Sequence, residues 1–256
     1  MPALAPLIIS APFGNYIQPT GTTPTLGTFT MARRRGRLWR TIRTVRYDPF
    51  SKAWINKIGL RNPGIASVES KPDNADLHDK VISIHGFNEN EWAELVHRAA
   101  ALAPLAIELN ISCPNVGELS WPPDLFERAV STGVRAIVKI PPVRFRPMVE
   151  AALNAGVRTL HCCNTLPVPA GGMSGKPLKP VALECINHIR SHHDTDNLII
   201  VGGGGITTPA DIDDYANAGA NHFAIATKCF NPILLVSHAS LKPLIEHAAR
   251  KAINAE

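Results

Sequence analysis

At 256 residues with 45% hydrophobic content, the chain fits one α/β barrel or two small domains and can fill a sizeable core. No apolar run approaches the roughly 20 residues a membrane helix needs, and no basic stretch leads into a long apolar one at the N-terminus, so a soluble protein is expected. Five cysteines, Cys113, Cys162, Cys163, Cys185 and Cys229, are an odd number at spacings that match no zinc pattern, which argues for reduced thiols in a cytoplasmic setting and against a structural metal. The net charge of +5 is modest but uneven, because Arg33, Arg34, Arg35, Arg37, Arg40, Arg43 and Arg46 fall together and leave the rest of the chain slightly acidic.

In chain order, short apolar runs ending in Gly, Pro, Asn or Thr predict strands at residues 7–11, 26–31, 81–85, 106–111, 136–140, 159–163, 198–201 and 222–226. Between the first two, residues 17–26 are rich in Thr, Pro and Gly and too broken for a helix. That connection is expected to be shortened or irregular, with the sheet interrupted there. The arginine segment reads as a solvated basic helix or loop, since Leu38, Trp39, Ile42 and Val45 share one face; a nucleic-acid surface is the other reading. Asn56-Lys57-Ile58-Gly59-Leu60-Arg61-Asn62-Pro63-Gly64 reads as a loop that presents backbone amides to a ligand. Trp92, Leu95, Val96, Ala99, Ala100 and Ala103 recur at helical spacing, as do Ala182, Cys185, Ile186 and Ile189. Thr208 precedes Pro209 at a first helical position, and Gly133, Gly156 and Gly219 follow helical runs as C-caps. Strand and helix alternating along the whole chain imply a parallel sheet, and eight strands imply a closed (β/α)8 TIM barrel, a single domain over residues 1–256.

A barrel of this kind places chemistry at the C-terminal ends of its strands and phosphate at the loops after the seventh and eighth. After the seventh run comes Gly202-Gly203-Gly204-Gly205-Ile206-Thr207-Thr208-Pro209, four glycines leading into a helix, which lets backbone N–H groups approach an anion. After the eighth comes Ala226-Thr227-Lys228. The run Ile107-Glu108-Leu109-Asn110-Ile111-Ser112-Cys113-Pro114-Asn115 carries a strand into a thiol flanked by two carboxamides, each with a donor and an acceptor for a ring of alternating C=O and N–H groups. Lys139 lies inside an otherwise apolar strand, where it must snorkel to solvent or face a negative partner. Asn164 and Thr165 end the sixth run, followed by a flexible stretch, Gly171-Gly172-Met173-Ser174-Gly175.

Together these motifs, in this order, resemble the dihydroorotate dehydrogenase family, FMN-dependent barrels of pyrimidine (UMP) synthesis. The resemblance runs over residues 8–232. It implies that Cys113 is the general base, as in the cytosolic class 1 enzymes, and that Asn56, Asn110, Asn115 and Asn164 hold the pyrimidine ring with Thr165 beside them. Gly59 and Leu60 would meet the substrate carboxylate through their backbone. Lys139 would lie near flavin N1 and O2, with Asn110 also against the cofactor, and Gly175, Gly204, Gly205, Ala226 and Thr227 would cradle phosphate and ribityl. Dihydroorotate and orotate are the implied substrate and product, a homodimer the implied assembly, and an iron–sulfur subunit the electron-transfer partner in one branch of the class.

The chain departs from the family at a lysine that follows the second strand and touches both flavin and substrate. Leu26-Gly27-Thr28-Phe29-Thr30-Met31-Ala32 ends without it, and an arginine from Arg33 to Arg37, first of all Arg33 or Arg34, is expected to turn inward in its place. Ala226 stands where the family's phosphate dipeptide has glycine, and Gly14-Asn15-Tyr16 matches the first flavin contact only loosely. These departures leave three alternatives: an FMN oxidoreductase acting on another cyclic amide or acid, an enzyme like the flavin barrels that reduce uridine in transfer RNA, and a non-catalytic flavin-binding barrel.

Overall fold

The computed structural model describes residues 3–70, 77–111, 121–194 and 196–253. Its strands are β1 (Leu7–Ile9), β2 (Thr22–Phe29), β3 (Arg46–Asp48), β4 (Ala53–Asn56), β5 (Val81–Ile84), β6 (Ala106–Leu109), β7 (Arg135–Ile140), β8 (Thr159–Cys162), β9 (Leu166–Val168), β10 (Gly171–Gly175), β11 (Ile199–Gly203) and β12 (His222–Ile225). Its helices are α1 (Arg37–Thr44), α2 (Ala66–Glu69), α3 (Glu89–Ala101), α4 (Leu125–Ser131), α5 (Phe145–Asn154), α6 (Leu178–His192), α7 (Pro209–Asn217) and α8 (Lys242–Ile253).

Eight strands close in the order β1-β12-β11-β8-β7-β6-β5-β2, every neighbour parallel. These are the eight predicted runs. The expected gap after the first is not there: Thr22 to Thr25, within the segment read as broken, already pair with β1 and β5 and complete the wall. The short connection itself is as expected, a 3-10 turn at Phe13–Asn15 in place of a helix. Asn15 pins that turn to β2, its Nδ2 donating to the Gly27 carbonyl at 3.1 Å and its Oδ1 accepting from the Gly27 amide at 3.3 Å.

Two further readings are corrected. Asn56 ends strand β4 rather than opening a loop, and the supposedly flexible glycine stretch is strand β10. They pair antiparallel in a second sheet of order β3-β4-β10-β9. Gly175 shows why glycine is needed there: with φ +99°, an added Cβ would lie 2.5 Å from the Lys52 carbonyl oxygen.

Strand alternation separates two interiors. Outward side chains meet α3, α6 and their neighbours in one large core that includes Trp92, Leu95, Ile107, Leu109 and Ile189. Inward, Ile8, Val81, Ala106, Ile137, Val201 and Ala224 form a separate apolar plug. One step further along the strands, the inward positions become Ser83, Glu108, Lys139 and His161, all buried. The barrel floor is therefore greasy and its upper layer polar, which sets the direction in which a ligand is held.

Helix ends follow the predicted punctuation. Gly133, Gly156 and Gly219 all have positive φ, at 73°, 88° and 100°. The basic segment, read as a helix or a loop, forms helix α1, and Leu38, Trp39 and Ile42 on it stay exposed. No helix among the described residues is long and apolar enough to cross a membrane.

Candidate active site

A cavity of about 710 Å³ opens at the C-terminal ends of the barrel strands. The first sheet supplies Asn110, Lys139, Asn164 and Thr165, and the loops after β11 and β12 supply Gly204, Gly205, Ala226 and Thr227. From the second sheet and the turn behind it come Asn56, Gly59 and Leu60. Leu60 has φ +53° beside Gly59 at +71°, and the Asn62 carboxamide holds that turn by donating to the Leu60 carbonyl at 2.7 Å. Gly175 does not line the cavity: its carbonyl packs where a Cβ on Gly205 would sit, 2.7 Å away, so it lets two backbones approach behind the glycine loop. Cys113 and Asn115 lie outside the described residues.

The electrostatic centre is Glu108, two residues before Asn110 on the same inward face. Its Oε2 accepts from His161 Nδ1 at 2.7 Å, its Oε1 accepts from Ser83 Oγ at 2.8 Å, and Lys139 Nζ lies 3.6 Å away. Burial alone would push this carboxyl up, but the Lys139 charge and the hydrogen bonds from His161 and Ser83 outweigh it and hold the group at about 2. Burial, with Lys139 beside it, pushes His161 down, so the ring is a neutral donor to an ionised carboxylate. Lys139 thus has the negative partner its strand position demanded, while still reaching the cavity wall.

At the glycine loop, Gly204 has φ +130° and Gly205 +72°, conformations that L side chains rarely adopt. Their amides have no acceptor among the described residues, and a following capped helix adds its positive end. That helix, α7, carries a capping box between Thr208 and Asp211. Asp211 Oδ2 accepts from the amides of Thr207 and Thr208, both at 2.9 Å, and Oδ1 receives Lys179 Nζ at 2.6 Å. Burial opposes ionisation, but these donors win and bring the carboxyl down to about 2. A folded-state value below the unfolded one, about 3.9, means the stabilisation is complete above pH 5 and lost as pH falls through about 2. Asp211→Asn should therefore cost about 1–3 kcal/mol in urea unfolding at pH 7, and the gap to the parent should narrow on acidification; a gap independent of pH would remove the carboxylate from this role.

Of the arginines from Arg33 to Arg37, it is Arg37 and not the favoured Arg33 or Arg34 that reaches the cavity. Arg33 is exposed, and Arg34 turns its Nη2 toward the Gly59 carbonyl at 3.4 Å with its guanidinium 4.5 Å from the Phe87 ring centre, outside the cavity lining. Arg37 and Arg61 line the cavity instead. Arg37 Nη1 donates to Tyr16 Oη at 2.9 Å, which brings Tyr16 of the loosely matched Gly14-Asn15-Tyr16 segment to the same wall. Arg61 Nε is buried without an acceptor among the described residues.

His161, Ser83 and Thr28 were missed by sequence reasoning. Glu108 and Lys139 give a retrospective signal: two opposite charges in neighbouring apolar strands imply a polar layer, and His161 pairs in register with Lys139. Cysteine spacing likewise concealed a cluster. Cys162, Cys163 and Cys185 bring their sulfurs within 4.8 Å of one another in the buried space between β8 and α6, with Cys163 also on the cavity wall.

The family model for dihydroorotate dehydrogenase matches residues 20–142 and 122–240. The dihydroorotate dehydrogenase A (fumarate) of Limosilactobacillus reuteri is 31% identical over 228 residues, 76% of this chain and 73% of that one. The catalytic subunit of dihydroorotate dehydrogenase B (NAD(+)) from Latilactobacillus sakei subsp. sakei is 31% identical over 208 residues, 69% of this chain and 67% of that one. Among solved structures, the DHODH of Eimeria tenella in complex with ferulenol superimposes with a TM-score of 0.66 at 17% identity, covering 97% of this chain and 80% of that one, a likeness of fold. With the motifs in order, the cavity at the barrel's C-terminal rim and matches over most of its length, the chain belongs to the dihydroorotate dehydrogenase family.

Proposed function

We propose that this chain is an FMN-dependent dihydroorotate dehydrogenase that oxidises dihydroorotate to orotate in pyrimidine synthesis, acting as a single barrel domain. The observation that carries the reading is the convergence of three carboxamides, Asn56, Asn110 and Asn164, with Lys139 on one cavity that ends in the Gly204-Gly205 loop. Carboxamides suit a ring of alternating C=O and N–H groups, a lysine suits developing negative charge, and unpaired glycine amides suit a phosphate. The donor set therefore fits FMN: Gly204, Gly205, Ala226 and Thr227 would hold its phosphate and ribityl, and Lys139 and Asn110 its ring.

Bound FMN would supply the two-electron acceptor. The chain's own residues do the rest. Asn56, Asn110, Asn115, Asn164 and Thr165 orient the substrate ring, Gly59 and Leu60 meet its carboxylate, and the Cys113 thiolate takes the proton from C5 as hydride leaves C6. A thiol of solution pKa about 8.5 acts as base in its ionised form, so the rate should rise with pH across that range.

Lys139 is already engaged by Glu108, which leaves the substrate carboxylate to another cation. Arg61 fits best, since it lines the cavity directly after the Gly59-Leu60 turn, with Arg37 also on the wall. Arg61→Ala should weaken orotate at least about tenfold, roughly 1.4 kcal/mol, in titrations read by flavin absorbance. Arg33→Ala and Arg35→Ala should change it less than about threefold. If Arg61→Ala binds orotate like the parent, the carboxylate ligand lies elsewhere or the substrate is a different cyclic amide.

The test of the whole reading is the ultraviolet-visible spectrum of the purified protein before and after dihydroorotate is added without oxygen. Bleaching of the flavin bands is the expected result. A flavin that stays oxidised with dihydroorotate would favour another substrate. The native oxidant then decides partners: fumarate needs none, whereas NAD reduction calls for an iron–sulfur subunit. We place the protein in the cytoplasm, as a homodimer.

A further inference from the structure

Five buried side chains form an unbroken line from Glu108 to the cavity. Ser83 Oγ donates to Glu108 Oε1 at 2.8 Å, and Thr28 Oγ1 lies 2.9 Å from Ser83 Oγ. Asn110 Nδ2 donates to Thr28 Oγ1 at 2.9 Å, and Asn164 Nδ2 donates to Asn110 Oδ1 at 2.8 Å. The backbone amide of Thr165 closes the line by donating to Asn164 Oδ1 at 2.9 Å.

The proton order along this line is forced. An ionised carboxylate only accepts, so the single Ser83 hydroxyl hydrogen is spent on Glu108. Thr28 must then donate to Ser83, which leaves it only a lone pair for Asn110. The Asn110 nitrogen is thereby held at Thr28 and its oxygen at Asn164. The far end demands the same order independently, because the Thr165 amide has nothing but a hydrogen to offer. What remains on Asn110, a residue of the cavity wall, is one amide hydrogen and one carbonyl lone pair, a donor and an acceptor for a cyclic –CO–NH– unit.

We propose that Glu108, through Ser83 and Thr28, is a specificity-determining positioning residue: it dictates which way the Asn110 and Asn164 carboxamides face, and so which ring the cavity accepts. Ser83 touches no part of the cavity wall and is fully buried, yet its hydroxyl carries the order. Without it, Thr28 loses its acceptor and can turn its hydrogen toward Asn110. That would set the Asn110 nitrogen against the Asn164 nitrogen, two donors facing each other. The effect on orotate rests on the function proposed above; the hydrogen-bond order does not.

The experiment uses FMN-loaded protein with Ser83→Ala and Thr28→Val, alone and combined, and two readouts. First, the side-chain amide resonances of Asn110 and Asn164, assigned by their loss in Asn→Asp variants, are compared without substrate. Both substitutions should move the Asn110 pair, and Ser83→Thr, which restores a hydroxyl, should return it. Second, orotate titration should show at least about tenfold weaker binding in either single variant, at unchanged FMN content, with the double variant no worse than the singles because both cut one line. Unmoved amide resonances in Ser83→Ala and Thr28→Val would overturn the relay, as would additive losses in the double variant. Moved resonances with parental orotate affinity would overturn its role in specificity. If the amides move but even the parent fails to bind orotate, the relay stands and the substrate assignment falls. Should Ser83→Ala not fold, Thr28→Val carries both readouts.

Discussion

Protein carrying Gly204→Asp should purify without its yellow colour. Gly204 sits at φ +130°, where an L side chain is strained, and an added Cβ would come 2.8 Å from Leu178 Cγ. More important is charge. A carboxylate at this loop would stand against the phosphate that the proposed function assigns to it, and at 4 Å two like charges repel by about 4 kcal/mol even at an effective dielectric constant near 20. That is roughly a thousandfold in cofactor affinity. Gly204→Asn, with the same shape and no charge, separates the two effects and should regain part of the flavin. The check is the ratio of flavin to protein absorbance in folded protein. Full occupancy in the aspartate variant would remove the phosphate from this loop.

Cys113→Ala is expected to keep FMN and lose reduction of the flavin by dihydroorotate, by at least about a hundredfold on the usual scale of general-base effects. Stopped-flow bleaching without oxygen measures it directly. The clustered thiols provide the control: Cys162 and Cys185 are buried in the core between β8 and α6, so Cys162→Ala and Cys185→Ala should leave the rate nearly unchanged. Cys163 borders the cavity and is not a clean control. Wild-type bleaching in Cys113→Ala would mean that the base lies elsewhere.

The barrel was legible in the sequence because its strands are buried on both faces and read as short apolar runs. The 22–25 segment was not, since threonine and proline in a strand look like loop when the neighbours that satisfy them are unseen. The second sheet escaped for a related reason. Gly171 to Gly175 has no hydrophobic pattern of its own and becomes a strand only by pairing with Ala53–Asn56, more than a hundred residues away. Missing cations were harder still. The sequence offers seven arginines from Arg33 to Arg46 and a further one at Arg61, and only chain direction tells that Arg37 and Arg61 face the cavity while Arg34 packs on Phe87.

By itself, then, the order of residues determined the eight-stranded alternation, the phosphate-type glycine loop after the seventh strand, and the set of carboxamides, lysine and thiol that carry the family. Those are local properties: burial period, backbone freedom and side-chain chemistry are written residue by residue. Only the tertiary structure decided how the polar groups face one another. Glu108, Ser83, Thr28 and His161 come from four different strands, and a hydrogen bond 2.7–2.9 Å long depends on strand register and on which face each residue takes. Register is settled by packing across the barrel, so the charge beneath the cavity and the direction of its carboxamides exist only once the barrel has closed.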